Sequence, residues 1–458
     1  MNNSLDDSKG TMQDFGYREE LKRTLDFWDL LIYGIVFMVP IAPFGIYGYV
    51  ASTSKGMVPL VYLISMVGML FTALSYARLA EVFPIAGSIY SYAQRGINEH
   101  IGFFAGWLIL LDYILIPALL YTVSATALNN MIPFLPKFFW LMFFLLLNTV
   151  INVLGIEITA KTNRIVVALE LIVLIIFLAF GLTAVSNHIY GPDTWINPIY
   201  NKEEFDISLL MTATSLAVLS FLGFDSISTL TEEVRGERTN AGKVVGKAII
   251  ISIPVVGVMF IAQTWVAAIL VPDYTSFSRL EGAFYEVAQI AGGSFLKGVT
   301  SVATALAWGI TNALVAQAAI SRILFSMARD RKLPVILAVI HPKYKTPYVS
   351  TILVALITLI IILAGASIDD LASLVNFGAL SSFLILHITL INHFIFRKKS
   401  KDYFKHLFLP LVGLLFIGYV WMSIGSLAKE LGFIWTVIGI LYMIIMKLFH
   451  HEGFTSRN

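Results

Sequence analysis

The chain contains no cysteine in its 458 residues, so disulfides and thiolate metal sites are excluded. Charge is scarce: 13% of the residues are charged against 58% hydrophobic, a balance that no soluble domain of ordinary composition shows. Nucleotide-binding loops, catalytic-triad signatures and basic nucleic-acid patches are missing as well. An ATP-driven pump, an enzyme and a nucleic-acid partner are therefore not expected. The eight histidines show no ligand spacing, and His450 and His451 sit in a tail, so no metal or other cofactor is expected. Residues 1–20 are polar and lack the apolar core of a cleavable signal peptide. The first apolar segment is then expected to do the targeting and to stay.

What the chain does have is long apolar runs. A membrane-crossing helix needs roughly 20 apolar residues. Hydropathy places twelve such spans near 29–51, 57–80, 101–128, 136–154, 164–186, 207–230, 245–270, 297–328, 347–365, 371–396, 407–426 and 431–449. They are apolar all round, so periodicity says little about which face is buried. Cytoplasmic loops collect Lys and Arg. With the N-terminus inside, 25 of the 31 Lys and Arg fall inside. Only Lys55, Lys137, Lys202, Arg279, Lys297 and Lys429 fall outside. The split predicts a multi-pass protein of the cell (cytoplasmic) membrane with both termini in the cytoplasm.

Two spans are interrupted. The sixth carries SFLGFDS, Ser220 to Ser226, in which a glycine and an acid sit among aromatics. The first carries MVPIAPFGIYG, Met38 to Gly48. There Pro40 and Pro43 remove backbone donors and obstruct the helix, and Gly45 and Gly48 add backbone freedom. Broken helices are where secondary transporters hold substrate, and breaks at matching positions of two halves point to an inverted repeat. The plainer alternative is a pair of unrelated kinks with a helix-end Asp.

The residues resemble the amino acid–polyamine–organocation superfamily (APC superfamily), and within it putrescine importers of the PuuP type. The likeness runs through FTALSYARLAEVFPIAGSIYSYAQ (Phe71 to Gln94), GWLILLDYILIP (Gly106 to Pro117) and FLGFDSISTLTEE (Phe221 to Glu233). It continues through SRILFSMARD (Ser321 to Asp330), HPKYKTP (His341 to Pro347), VNFGAL (Val375 to Leu380) and INHF (Ile391 to Phe394). It implies an all-α membrane protein with a LeuT-like 5+5 inverted repeat plus two C-terminal helices. The repeats would occupy 29–186 and 207–396, followed by helices 11 and 12 over 407–449, between cytoplasmic tails at 1–28 and 450–458. Many amino-acid carriers of the superfamily bind a substrate carboxylate with a Gly-Ser-Gly triplet in the broken first helix, using free N–H groups as anion donors. The positions here are Pro40, Ile41 and Ala42. Proline offers no N–H, and Ile41 and Ala42 crowd the backbone. That departure favours a substrate without a carboxylate.

Ionisable residues inside spans are costly and are functional candidates by default. Asp112 and its neighbour Tyr113 lie in the third span, Glu170 in the fifth and Asp225 just after the break in the sixth. A dication needs acids or aromatic faces around it, and Tyr113, Phe221, Phe224 and Trp308 are candidates for those faces. The resemblance singles out Tyr113 for substrate contact. It also aligns Glu170 with a lysine that replaces a sodium ion in some proton-coupled relatives. An acid removed from water disfavours its charged form, which suits a group that takes up and releases protons. Each residue has a plainer role open to it. For Asp225 it is a half-helix cap, for Asp112 and Glu170 a structural hydrogen-bonded acid, and for the aromatics packing. The reading is secondary active uptake of putrescine or a related polyamine across the lipid bilayer, by alternating access and coupled to protons. An amino acid permease of the same superfamily is the alternative, and a non-transporting nutrient sensor is a third.

Overall fold

The computed structural model describes residues 23–85, 88–155, 160–187, 195–236, 238–329 and 331–449. Most of the expected N-terminal tail and all of 450–458 lie outside them, and with those stretches Lys9, Arg18, Lys22, His450, His451 and Arg457.

The described chain is all-α. Its helices are α1 (Phe27–Met38), α2 (Pro43–Thr53), α3 (Val58–Val82), α4 (Ser88–Gly96), α5 (Glu99–Met131), α6 (Lys137–Leu154), α7 (Ala160–Asn187) and α8 (Ile207–Ala217). They are followed by α9 (Arg238–Leu270), α10 (Ala283–Leu306), α11 (Ala313–Arg329), α12 (Tyr348–Leu363), α13 (Ile368–Ile391), α14 (Leu409–Met422) and α15 (Ser426–Phe449). Helices dominate because a bilayer offers no water to backbone groups, so each segment bonds its own.

Ten helical segments are long and apolar enough to cross a membrane, and the pair α1–α2, bent by 55°, makes an eleventh. The expected ninth span is α12, whose 16 residues fall short of that length. The expected eighth span is longer than read. It runs from Leu280 to Arg329 through a break at Gly292 and Gly293, where Gly293 has φ +64°. Hydropathy also missed α4. Its Ser, Tyr and Gln residues lower its hydropathy, and contacts to the end of α13 hold it in place. Asn392 Nδ2 donates to the Gly96 carbonyl at 2.7 Å, and Arg397 donates to the Arg95 carbonyl at 2.9 Å.

Burial orders the bundle. The most apolar stretch of α5 is 83% buried, against 22% for α6, 22% for the segment containing α14 and 11% for α15. The helix carrying Asp112 is thus the central post, and α6, α14 and α15 form the outer rim of the bundle. The closest helix pair, α3 with α9, depends on small residues that let backbones approach. A Cβ on Gly242 would lie 2.3 Å from the Ala80 carbonyl oxygen, and one on Gly246 3.0 Å from the Ala77 Cβ.

Candidate functional site

The first break follows from its prolines. α1 ends at Met38, and Val39 then takes φ 56°, ψ 101°, a conformation that a β-branched residue adopts only under constraint. Two side-chain amides from distant helices satisfy carbonyls released there. Gln263 Nε2 donates to the Pro40 oxygen at 2.9 Å, and Asn312 Nδ2 to the Phe37 oxygen at 3.3 Å. Donors are another matter. Pro40 and Pro43 have none, and the N–H groups of Ala42, Phe44 and Gly45 are already bonded to the carbonyls of Val39, Ile41 and Ala42. Of the residues from Pro40 to Gly45, Ile41 alone is left to offer an N–H at this break, fewer donors than usually make a helix N-terminus an anion site.

The second break follows from Gly223. α8 passes into a 3₁₀ turn (Val218–Phe221), Leu222 is extended, and Gly223 adopts φ 110°. No other residue fits there: a Cβ would lie 2.2 Å from Cδ1 of Phe37 on α1, so the two breaks meet at this glycine. A 3₁₀ helix then runs from Phe224 to Glu233, far longer than the usual three or four residues. Hydroxyls reinforce it. Ser226, Ser228, Thr229 and Thr231 each donate to the carbonyl three residues earlier, at 2.5–2.6 Å.

Between the breaks lies a cavity of about 40 Å³. Its walls are Phe37 to Val39 and Ala42 from the first break, Leu219, Ser220 and Leu222 from the second, Ile116, Leu119 and Leu120 from α5, and Trp308 and Asn312. The last two belong to a π-helical stretch, Ala307–Asn312, joining α10 to α11. Such stretches are frequent at functional sites.

Of the residues singled out in the sequence, Ala42 and Trp308 line this cavity. Pro40 and Ile41 shape the break behind it. Asp112, Tyr113 and Asp225 come together beside it. The Tyr113 side chain lies against the Asp225 carboxyl, and Asp112 is close enough to feel the charge of Asp225. Asp112 lies one helical turn before the wall residue Ile116 on α5, and neither acid is itself among the cavity walls. Tyr76 and Tyr33 complete the cluster around Tyr113. Phe221 packs against Phe260 and Tyr62, with ring centroids 5.1 and 6.4 Å away, and Phe224 against Tyr76 and Phe383, at 5.6 and 5.7 Å. Neither phenylalanine lines the cavity. Glu170 stands apart on α7, between Arg164, which bonds to Asp29 of α1, and Phe177, which packs on Phe44 of α2. That places it alongside the broken first span.

Asp112, Glu170 and Asp225 are only 4–5% exposed. Each has a carboxyl oxygen with no hydrogen-bond partner, as do Trp308 Nε1, Asn312 Oδ1 and Gln263 Oε1. Unpaired buried polar atoms are costly, and a cluster of them around a cavity marks a place where a ligand, a proton or water completes the bonding. Among the described residues, no three His, Asp or Glu converge as a metal site.

The sequence reading missed the two amides and His387. Asn312 and Gln263 are uncharged, yet any polar side chain inside a span is a signal. His387 is fully buried on α13, its ring nitrogens 2.9 Å from Ser75 Oγ and 3.3 Å from Thr72 Oγ1.

A helical bundle with two broken spans meeting at a small, mainly apolar cavity fits a membrane transporter. The family model for amino acid permeases matches residues 25–449, and the chain belongs to that family. It is 31% identical to the low-affinity putrescine importer PlaP of Escherichia coli (strain K12), over 93% of this chain and 94% of the importer. It is 27% identical to the branched-chain amino acid permease BcaP of Bacillus subtilis (strain 168), over 95% of each chain. It is also 27% identical to the methylthioribose transporter of the same organism, over 94% of this chain and 95% of the relative. The protein is thus a multi-pass membrane transporter and not an enzyme.

Proposed function

We propose that the protein takes up putrescine or a related amine across the cytoplasmic membrane by alternating access. Residues 29–186 and 207–396 would serve as inverted repeats, with both termini inside. The observation that carries this reading is the polarity of the two breaks. At the first, Pro40 and Pro43 carry no donor and the Ala42, Phe44 and Gly45 N–H groups are bonded, and the second carries Asp225 with Asp112 and Tyr113 beside it. Acceptors and carboxylates suit an ammonium group and repel a carboxylate. The likeness to a putrescine importer supports the same choice. Glu170, buried beside the first break, is the group we assign to proton coupling.

A second reading, an amino acid carrier, is favoured by the likeness to BcaP and by the unpartnered donor on Trp308. The two separate in a competition assay with protein in proteoliposomes. Ornithine is putrescine with a carboxylate added. Putrescine should compete for uptake at least about tenfold better than ornithine, since an unpaired buried carboxylate costs more than a kcal/mol or two. Equal or better competition by ornithine, or by a branched-chain amino acid, overturns the amine reading. Binding without accumulation would make the protein a sensor.

A further inference from the structure

The turn that joins α13 to α14 takes no part in the site described above. Residues 396–408 read FRKKSKDYFKHLF. Five of the nine positions from Arg397 to Lys405 are basic, and Asp402 is the one acid among them. Aromatic rings flank and interleave the charges, and they face outwards: Phe396, Tyr403, Phe404 and Phe408 are 54–70% exposed. A turn surrounded by water gains nothing from four exposed rings.

The turn is held by its own bonds, and this leaves three lysines uncommitted. The Lys398 N–H donates to the His393 carbonyl and the Ser400 N–H to the Phe394 carbonyl, both at 2.9 Å. Ser400 Oγ lies 2.8 Å from Nδ1 of His406, whose ring stacks on Phe394 at 3.9 Å. The acids near His406 are Asp402 and Glu81. Asp402 is paired with Lys405 at 3.0 Å, and Glu81 with Arg78 at 2.9 Å. Arg397 donates to the Arg95 and Ile97 carbonyls. Lys398, Lys399 and Lys401 are exposed, and among the described residues their side chains make no hydrogen bond or ion pair.

The turn lies where two apolar segments end, Ile368–Arg397 and Phe404–Met422. That is the depth of the lipid headgroups, where amphipathic rings settle and where clustered Lys and Arg attract anionic lipids. We propose that the α13–α14 turn is a binding surface for an anionic phospholipid: Lys398, Lys399 and Lys401 hold the headgroup phosphate, and the exposed rings lie against the glycerol and upper acyl chain. The partner is the lipid and not a free anion, because lysines on an open turn enclose no phosphate and the rings need an apolar neighbour. Asn392 and Arg397, which hold α4, immediately precede the three lysines. A lipid bound here therefore steadies the contact between α13 and α4.

The experiment follows thermal unfolding of the full chain in detergent micelles as phosphatidylglycerol or phosphatidylcholine of the same acyl chains is added. Phosphatidylglycerol should raise the melting temperature and phosphatidylcholine should not. High salt should shrink the rise, since exposed charges are screened. The combined variant Lys398→Gln, Lys399→Gln, Lys401→Gln should need about tenfold or more phosphatidylglycerol for half the rise, as each lysine near an anionic surface is worth about fivefold. Its melting temperature in phosphatidylcholine should match the wild type, which reports that it is folded. If that temperature falls, Lys399→Gln and Lys401→Gln are titrated singly, each expected to raise the requirement about fivefold. Removing the same charge from scattered positions, in Lys243→Gln, Lys343→Gln, Lys345→Gln, should leave the requirement nearly unchanged. Equal rises with the two lipids, an unchanged requirement in the turn variants or an equal loss in the scattered variant overturns the proposal. So does a full rise from glycerol 3-phosphate alone, which would mark a site for a free anion.

Discussion

The two broken helices reach similar ends by different chemistry. The first is broken by what its residues cannot do. Prolines 40 and 43 remove donors, and distant amides on Gln263 and Asn312 satisfy released carbonyls. The second is broken by what its residues allow. Gly223 takes a left-handed turn, and serine and threonine hydroxyls sustain the long 3₁₀ helix that follows. One break is clamped from outside and the other is stabilised by its own sequence. The acceptors differ as well: amide-capped carbonyls at the first, a buried carboxylate at the second.

The sharpest way to break the comparison is at the glycine where the breaks touch. Gly223→Val adds a β-branched side chain at φ 110° and drives a Cβ to 2.2 Å from the Phe37 ring. The left-handed backbone alone costs about 1–2 kcal/mol, and the clash adds to it. Uptake should be lost, with reduced protein in the membrane. Near-normal uptake by this variant would mean that the second break is not needed in its observed form.

A smaller effect should separate the acid inside the second break from the acid beside the first. Asp225→Asn removes a charge next to the cavity, so amine binding should weaken by about tenfold or more, as expected for a lost contact to a charged group. Glu170→Gln should instead keep binding and exchange while losing accumulation driven by an imposed pH gradient. The reason is linkage. Neutral Glu170 avoids the cost of a buried charge, and ionised Glu170 needs a partner or a water path, so each protonation state favours a different conformation. Measured exchange and gradient-driven uptake in proteoliposomes decide. If the Gln variant still concentrates substrate with a proton gradient as the only drive, Glu170 is not the coupling group.

Much of this comparison could be read from the sequence because the bilayer simplifies it. Long apolar runs must be helical, so Pro40, Pro43 and Gly223 stood out as exceptions, and Asp112, Glu170 and Asp225 as costly. What could not be read was orientation. Spans that are apolar all round give no sign of their buried face. Phe221 and Phe224 thus looked like cavity walls, whereas they pack into rings contributed by α3, α9 and α13. The amide clamps were hidden for a related reason. A lone Gln in VMFIAQTWV is an unremarked polar residue until the fold brings it 223 positions back along the chain to Pro40.

The smallest expected effect tests that clamp. Gln263 and Asn312 both donate to first-break carbonyls, but only Asn312 lines the cavity. Gln263→Leu leaves the Pro40 oxygen without its donor, at a cost of about 1–3 kcal/mol for an unsatisfied buried group. The second Gln263 contact, to the Met259 oxygen at 2.9 Å, is to a carbonyl within its own helix. Its loss should add little. The variant should therefore melt at a lower temperature and transport more slowly, while its preference for putrescine over ornithine stays that of the wild type. A lost preference for putrescine in Gln263→Leu would show that this clamp shapes the substrate site and does more than hold the break.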